Sequence, residues 1–294
     1  MLFSFRKMKV FTEASGSLVA GALINQLKKA KLHVVASDID DINAGALLSD
    51  SYVKVPFKKD KNLWVTIMQI LIKHNIDWVI PSFDEMLEDW SSREVKINFS
   101  GVKLMISPPR TISTFVDKWE TFKAFRNMDI STPKTSKENI YAIVKPRRGR
   151  GSKGIFFNNK NISMEGNISQ EVALGNEITI DCLFDLDGAP IYIVPRLRSK
   201  IINGKSVNGI IIENQKIVKE VKRIASNYHF IGPINIQVFL ENQKFKFIEI
   251  NPRVGGGMAL SWAATENWFD LWFNKIINNK RVNPKKNQIW TEYV

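Results

Sequence analysis

The chain has 294 residues, 44% hydrophobic and 24% charged, which suits a folded globular protein with room for two domains. No apolar run approaches the about 20 residues that span a bilayer, and charges break MLFSFRKMKVF too early for a signal-peptide core, so the protein is expected to be cytoplasmic, with no membrane partner. The single cysteine, Cys182, rules out an internal disulfide or a cysteine metal site, and the net charge of +13 is scattered except in KPRRGRGSKG, residues 145–154, where interleaved glycine favours a nucleotide phosphate over a nucleic-acid backbone.

Residues 8–16, MKVFTEASG, read as a strand and a small-residue turn, 17–30 as a helix with a basic end, and LHVVASDID as a second strand ending in acids. The turn carries Gly16 and Gly21 but no G-x-G-x-x-G, so Asp38 is not read as the ribose acid of a dinucleotide site. A helix from about Lys61 to His74, a strand at IDWVIPS, a helical stretch DEMLEDW and a strand at VKLMIS continue the alternation. Strands alternating with helices predict a parallel sheet covered on both faces, ending near the Pro108-Pro109 pair.

Beyond that pair, 113–128 has helical spacing, YAIVKP reads as a strand before the glycine-rich loop, and GIFFN as another. Residues 168–186 read as two strands with a turn at Gly175-Asn176. PIYIVPRLRSK, a helix over about 214–229, the pair INIQVFL and FKFIEI joined by ENQK, and a helix from about Ala259 to Asn278 complete the chain. Arg196, Arg198 and Lys200 form a cationic rim that fits an anionic substrate or a solvated strand edge equally well.

The chemistry concentrates in FIEINPRVGGG, residues 247–257, where a strand ends on Glu249 and Asn251 two residues apart. A three-residue hairpin loop sets Gln237 opposite Glu249, whereas a two-residue loop sets it opposite Ile248 and turns it away. In the first case an amide, a carboxylate and Asn251 converge as an all-oxygen set suited to Mg²⁺ carrying phosphates. Lys118, after Asp117, and Lys145, at the end of YAIV, stand where phosphates can lie. Glu171 and Glu177 bracket a turn and could accept from a ribose diol.

The order DK, VKPRRGRGSKGI, QEVALGNEITID, NIQVFL and FIEINPRVGGG resembles the ATP-grasp superfamily, most closely the branch of the carbamoyl-phosphate synthase large subunit, from about Ser107 to about Ala264. The resemblance implies an α/β chain: a parallel βαβ pre-ATP-grasp domain over 1–107, then an α+β ATP-grasp domain over 108–294 with a small lid subdomain at about 113–172. It implies that Lys118 and Lys145 contact nucleotide phosphates under a loop containing Gly149, Gly151, Ser152 and Gly154. Backbone around Glu171, Val172 and Leu174 would hold adenine, and Glu177 the ribose. Gln237, Glu249 and Asn251 would hold Mg²⁺ or Mn²⁺, and Arg253, with Lys145, would serve catalysis. The implied activity is ATP-dependent carboxylate–amine or ammonia ligation through an acyl phosphate, releasing ADP and phosphate, with small-molecule carboxylate and amine partners and room for a homodimer. Gln237 stands where many relatives carry an acid, and Arg150 is bulkier than a loop residue there would be. The rival readings are a catalytically inactive nucleotide-binding subunit and a basic nucleic-acid-binding protein; the intact acid and lysine set speaks against the first, the scattered charge against the second.

Overall fold

The computed structural model describes residues 6–98, 100–151, 153–158, 161–202 and 205–285, leaving aside the side chains of 200–202 and 205–207. Two compact units form: one of the chain to Ile106 with Glu266–Asn283, the other of Ser107–Thr265 with the chain from Pro284. The first therefore takes Glu266–Asn283, a stretch expected from sequence to stay with the second. Among the described residues no helix is long and apolar enough to cross a membrane.

The first unit contains β1 (Lys9–Thr12), α1 (Ala20–Lys29), β2 (His33–Asp38), α2 (Ala44–Leu48), β3 (Ser51–Lys54), α3 (Leu63–Lys73), β4 (Trp78–Ile80), α4 (Leu87–Asn98) and β5 (Lys103–Leu104). Its five strands are parallel in the order β3-β2-β1-β4-β5. Near-continuous apolar strands such as Val34–Ala36 are what a sheet buried on both faces requires. Asp38 accepts the Gly16 and Ile39 N–H groups, both at 2.7 Å, so it closes the first turn on itself. The late helix Trp268–Asn274 joins this unit because Phe273 meets Trp78 edge-on at 5.6 Å and Asn267 Nδ2 donates to the Gln26 carbonyl at 2.8 Å.

In the second unit come α5 (Pro109–Phe115), α6 (Lys118–Asn127), β6 (Thr135–Ser136), β7 (Ile143–Pro146), β8 (Phe156–Phe157), β9 (Asn167–Gln170), β10 (Asn176–Phe184), β11 (Pro190–Ile202), β12 (Lys205–Ile211), α7 (Gln215–Ala225), β13 (Gly232–Glu241), β14 (Lys244–Asn251) and α8 (Ala259–Ala264). The helix expected over 113–128 is two helices, because Asp117 leaves helical geometry and caps the second by accepting from Trp119 and Glu120 N–H at 2.9 and 3.3 Å. Likewise the run from Ala259 breaks at Thr265, and Asn267 caps the next helix.

Two antiparallel sheets build this unit, a small one ordered β6-β9-β7-β8 and a larger one ordered β12-β11-β10-β13-β14. The larger sheet has an apolar face and a polar face. Ile178, Ile180, Cys182, Ile234, Ile236, Val238, Phe247 and Ile250 bury one face against Phe115 and Phe125 and the apolar stripe of α7, Ile217, Val221 and Ile224. Alternation then sends Glu177, Thr179, Asp181, Asn235 and Gln237 to the opposite face. Cys182 is the buried hydrophobe expected, its thiol pushed far up by burial beside Asp181.

Candidate functional site

The β13–β14 hairpin turns through two residues, Asn242 and Gln243, both in the left-handed region at φ 47° and 62°. Carried on regularly, that turn would pair Gln237 with Ile248 and aim Glu249 into the core. A bulge prevents this. Val238 pairs with Phe247 and Gln237 with Glu249, so Ile248 is an extra residue on β14. Phe247 and Ile250 stay in the core, whereas Ile248 and Glu249 both line a cavity. The outcome expected of a three-residue loop is thus reached by a two-residue loop plus a bulge.

That cavity, about 350 Å³, is lined by Lys118, Lys145, Gly149, Arg150, Gly151, Lys153, Glu177, Arg198, Gln237 and Glu249 with apolar Pro146, Ile155, Phe239 and Ile248. Lys145 is buried at the end of β7, its Nζ donating to Gln170 Oε1 at 2.8 Å. Burial pushes its pKa down to about 8, with Glu249 raising it and Lys118 lowering it. Burial would lift the Glu249 carboxyl, yet Lys118, Lys145, the Asn251 amide and Arg253 together hold it below the ordinary carboxylate range. Glu249 is therefore an ionised carboxylate inside a cationic pocket. Asn251 Nδ2 donates to Glu249 Oε1 at 3.1 Å, which leaves the Asn251 amide oxygen without that task.

Lys118 Nζ donates to the Gly149 carbonyl at 2.8 Å, and its own N–H to the Arg147 carbonyl at 2.9 Å. Arg147 also grips buried Asp117 with two hydrogen bonds, 3.2 and 2.7 Å, fixing the start of the glycine loop on the start of α6. Gly151, at φ 63°, has open space where a Cβ would point, so backbone and not side chains faces that region.

Of the residues singled out in the sequence, Lys118, Lys145, Gly149, Gly151, Glu177, Gln237 and Glu249 share the cavity, with Asn251 bonded to one of them. Gly154 packs against Pro146 instead, and Ser152 lies outside the described residues. Glu171 is engaged with Lys134, while Val172 and Leu174 are exposed and do not line the cavity. Arg253 donates to the Val254 carbonyl at 3.1 Å, and its backbone N–H to the Asn251 carbonyl at 2.8 Å. At two of its three members the cationic rim is not a solvated edge: Arg198 is ion-paired with Glu177 and Arg196 with Asp181, all on the polar face of the sheet, while the Lys200 side chain lies outside the described residues. Even-numbered spacing, two residues from Arg196 to Arg198 and four from Glu177 to Asp181, was the available signal, but it declares itself only once the strands are paired.

All-oxygen donors suit magnesium, with one carboxylate, Glu249, and amide oxygens from Gln237 and Asn251. Among the described residues no three His, Cys, Asp or Glu cluster, so such an ion would need phosphate oxygens to complete its shell.

A family model described as an ATP-grasp in the biosynthetic pathway with Ter operon matches residues 163–293. No curated protein matches the chain in sequence. Among solved structures, an L-amino acid ligase from Bacillus licheniformis aligns with a TM-score of 0.73 at 18% identity, over 96% of this chain and 75% of that one. N5-carboxyaminoimidazole synthetase from Staphylococcus aureus, complexed with ADP, gives 0.73 at 16%, over 94% and 79%. Pyruvate carboxylase from Rhizobium etli gives 0.69 at 13%, and the chain spans 88% of itself but 27% of that protein. Over residues 163–293 the chain is thus similar to an ATP-grasp family, and it shares its fold with these solved structures.

Proposed function

We propose that this chain is an ATP-dependent ligase that activates a carboxylate as an acyl phosphate and joins it to an amine or ammonia, releasing ADP and phosphate. The observation that carries the reading is the pairing of buried Lys145 with ionised Glu249 in one cavity that also holds Lys118 and Gln237. Lys118 and Lys145 bind the polyphosphate, and the loop from Arg147 to Ile155 covers it with backbone N–H groups. Pro146, Ile155, Phe239 and Ile248 give the adenine an apolar slot, and the backbone around Glu171, Val172 and Leu174 keeps its proposed part in holding it. Glu177, one oxygen of which serves Arg198, keeps the other for a ribose hydroxyl. Bound by Glu249, Gln237 and Asn251, magnesium would neutralise the charge gathering on the transferred phosphoryl group.

In the first step a carboxylate oxygen bonds to the terminal phosphorus and the bridging P–O bond breaks, its electron pair leaving with ADP. In the second the amine attacks the carbonyl carbon, phosphate departs and the amine loses a proton. Arg253 steadies the acyl phosphate with a planar cationic fork. The solved neighbours named as ligase and synthetase support this reading at the level of fold. With a substrate carboxylate, hydroxylamine is expected to trap a hydroxamate, and Arg253→Ala to cut turnover about 10²- to 10³-fold with nucleotide affinity little changed. AMP and pyrophosphate as products would reject it. A second reading, nucleotide binding without turnover, is favoured by the single carboxylate of the metal set; it predicts tight MgADP binding and no ADP release on any carboxylate.

A further inference from the structure

Arg196 is 3% exposed, yet its burial is half accounted for. Nε donates to Asp181 Oδ2 at 2.8 Å, and the two oxygens of Asp181 also take Asn235 Nδ2 and Ser261 Oγ, both at 2.7 Å. Neither Nη1 nor Nη2 has a hydrogen bond among the described residues, and neither is sealed from solvent. A purely structural arginine enclosed this deeply would be costly if its remaining N–H groups were left without acceptors. These instead form a fixed fork at the edge of accessible space.

Position adds to the argument. Arg196 pairs with Thr179, Thr179 with Gln237 and Gln237 with Glu249, so it occupies the same row of the sheet as two of the proposed metal ligands, two strand spacings or about 10 Å from Gln237 and three or about 14 Å from Glu249. Gly257 comes close to its Nη edge: a Cβ there would stand 2.5 Å from Nη2 and 2.8 Å from both Nη1 and Cζ. Over Gly256 the space is open to 4 Å. The missing side chain at Gly257 is therefore what lets the fork stand this close to the backbone.

We propose that the Nη edge of Arg196 is the subsite that reads a carboxylate group of the carboxylate substrate, with Asp181 as the residue that positions it. A planar fork matches a planar carboxylate in two parallel hydrogen bonds. The assignment to substrate rests on the ligase reading above.

Phenylglyoxal labelling of the whole chain, mapped by mass spectrometry, tests the fork directly. The competing probes are the protein amino acids, short mono- and dicarboxylates, inorganic phosphate, and chloride at matched ionic strength. Arg196 is expected to be labelled and to be protected roughly 10-fold or more by at least one carboxylate, but not by phosphate or chloride. Labelling of exposed Arg110 and Arg126 without Arg196, no protection, or protection by phosphate alone would overturn the proposal. Arg196→Lys is expected to raise the KM for the active carboxylate roughly 10- to 100-fold with MgADP affinity within about twofold. Gly257→Ala, which displaces the fork without removing charge, should do the same, and the Asp181→Asn, Arg196→Met double variant covers the case in which a lone Asp181 prevents folding. If wild type releases no ADP while carboxylates still protect Arg196, the ligase reading fails and the subsite stands. If ADP is released and Arg196→Lys leaves KM unchanged, the subsite fails and the ligase reading stands.

Discussion

Lys145 and Glu249 define each other's charge. Burial alone would strip the proton from the lysine and add one to the carboxyl, but each shifts less than it would without the other, since Glu249 raises Lys145 and Lys145 lowers Glu249. A lysine poised near 8 binds phosphate as a cation below that pH and must recapture a proton above it. ADP affinity measured by calorimetry is therefore expected to hold below about 8 and to fall, by up to about tenfold per pH unit, as pH rises through it. Lys145→Gln should bind about 10- to 100-fold more weakly at neutral pH and lose that pH dependence. Glu249→Gln removes the only carboxylate from the proposed metal set. Its affinity for ADP should become indifferent to added magnesium, whereas wild type should gain from it.

At the scale of elements, the loop between β7 and β8 is anchored at its base and open at its tip. Arg147 is tied to Asp117, and Lys118 to Gly149, but Arg148 to Gly154 are exposed where described and β8 is two exposed residues long. Few apolar contacts hold such a segment, so its amides should exchange quickly in the free protein and slow down with MgADP. Equal protection in both states would show that the loop does not close. The opening βαβ units, Lys118 at a helix start and Lys145 at a strand end were legible because local pattern and punctuation carry them. The bulge was not. Its cause is a compromise between a two-residue turn, a core that demands Phe247 and Ile250, and a site face that receives Glu249, and no local spacing states all three. For the same reason the run at 113–128 hid a break: Asp117 caps a helix and takes Arg147 across 30 residues, a partner invisible in a window of helical periodicity.

Across the whole molecule the two units carry different titrations. Glu13 sits where the order of the parallel sheet reverses, between β1 and the loop after β4, and accepts N–H groups from Ser82 at 3.3 Å, Phe83 at 3.2 Å and Trp90 Nε1 at 3.0 Å. Burial lifts its pKa to about 7, more than those donors lower it, and Asp84 adds to the rise. An acid whose folded pKa is raised keeps its proton in the native state after the unfolded chain has lost it. Its contribution to stability is then full below about 4.5 and is lost as pH rises through about 7, a change of about 3 kcal/mol. The expected outcome is that the first unit, read by hydrogen exchange of its slowest amides in β1 and β4 after correction for intrinsic rates, loses stability over that window. The second unit, read through β10 and β13, should be stabilised by MgADP by about 2.7 kcal/mol at a hundredfold excess over Kd. Glu13→Gln removes the titrating proton, so its pH slope in the first unit should vanish even if the amide fits the Trp90 N–H poorly. A slope that survives this substitution would assign the titration to another group.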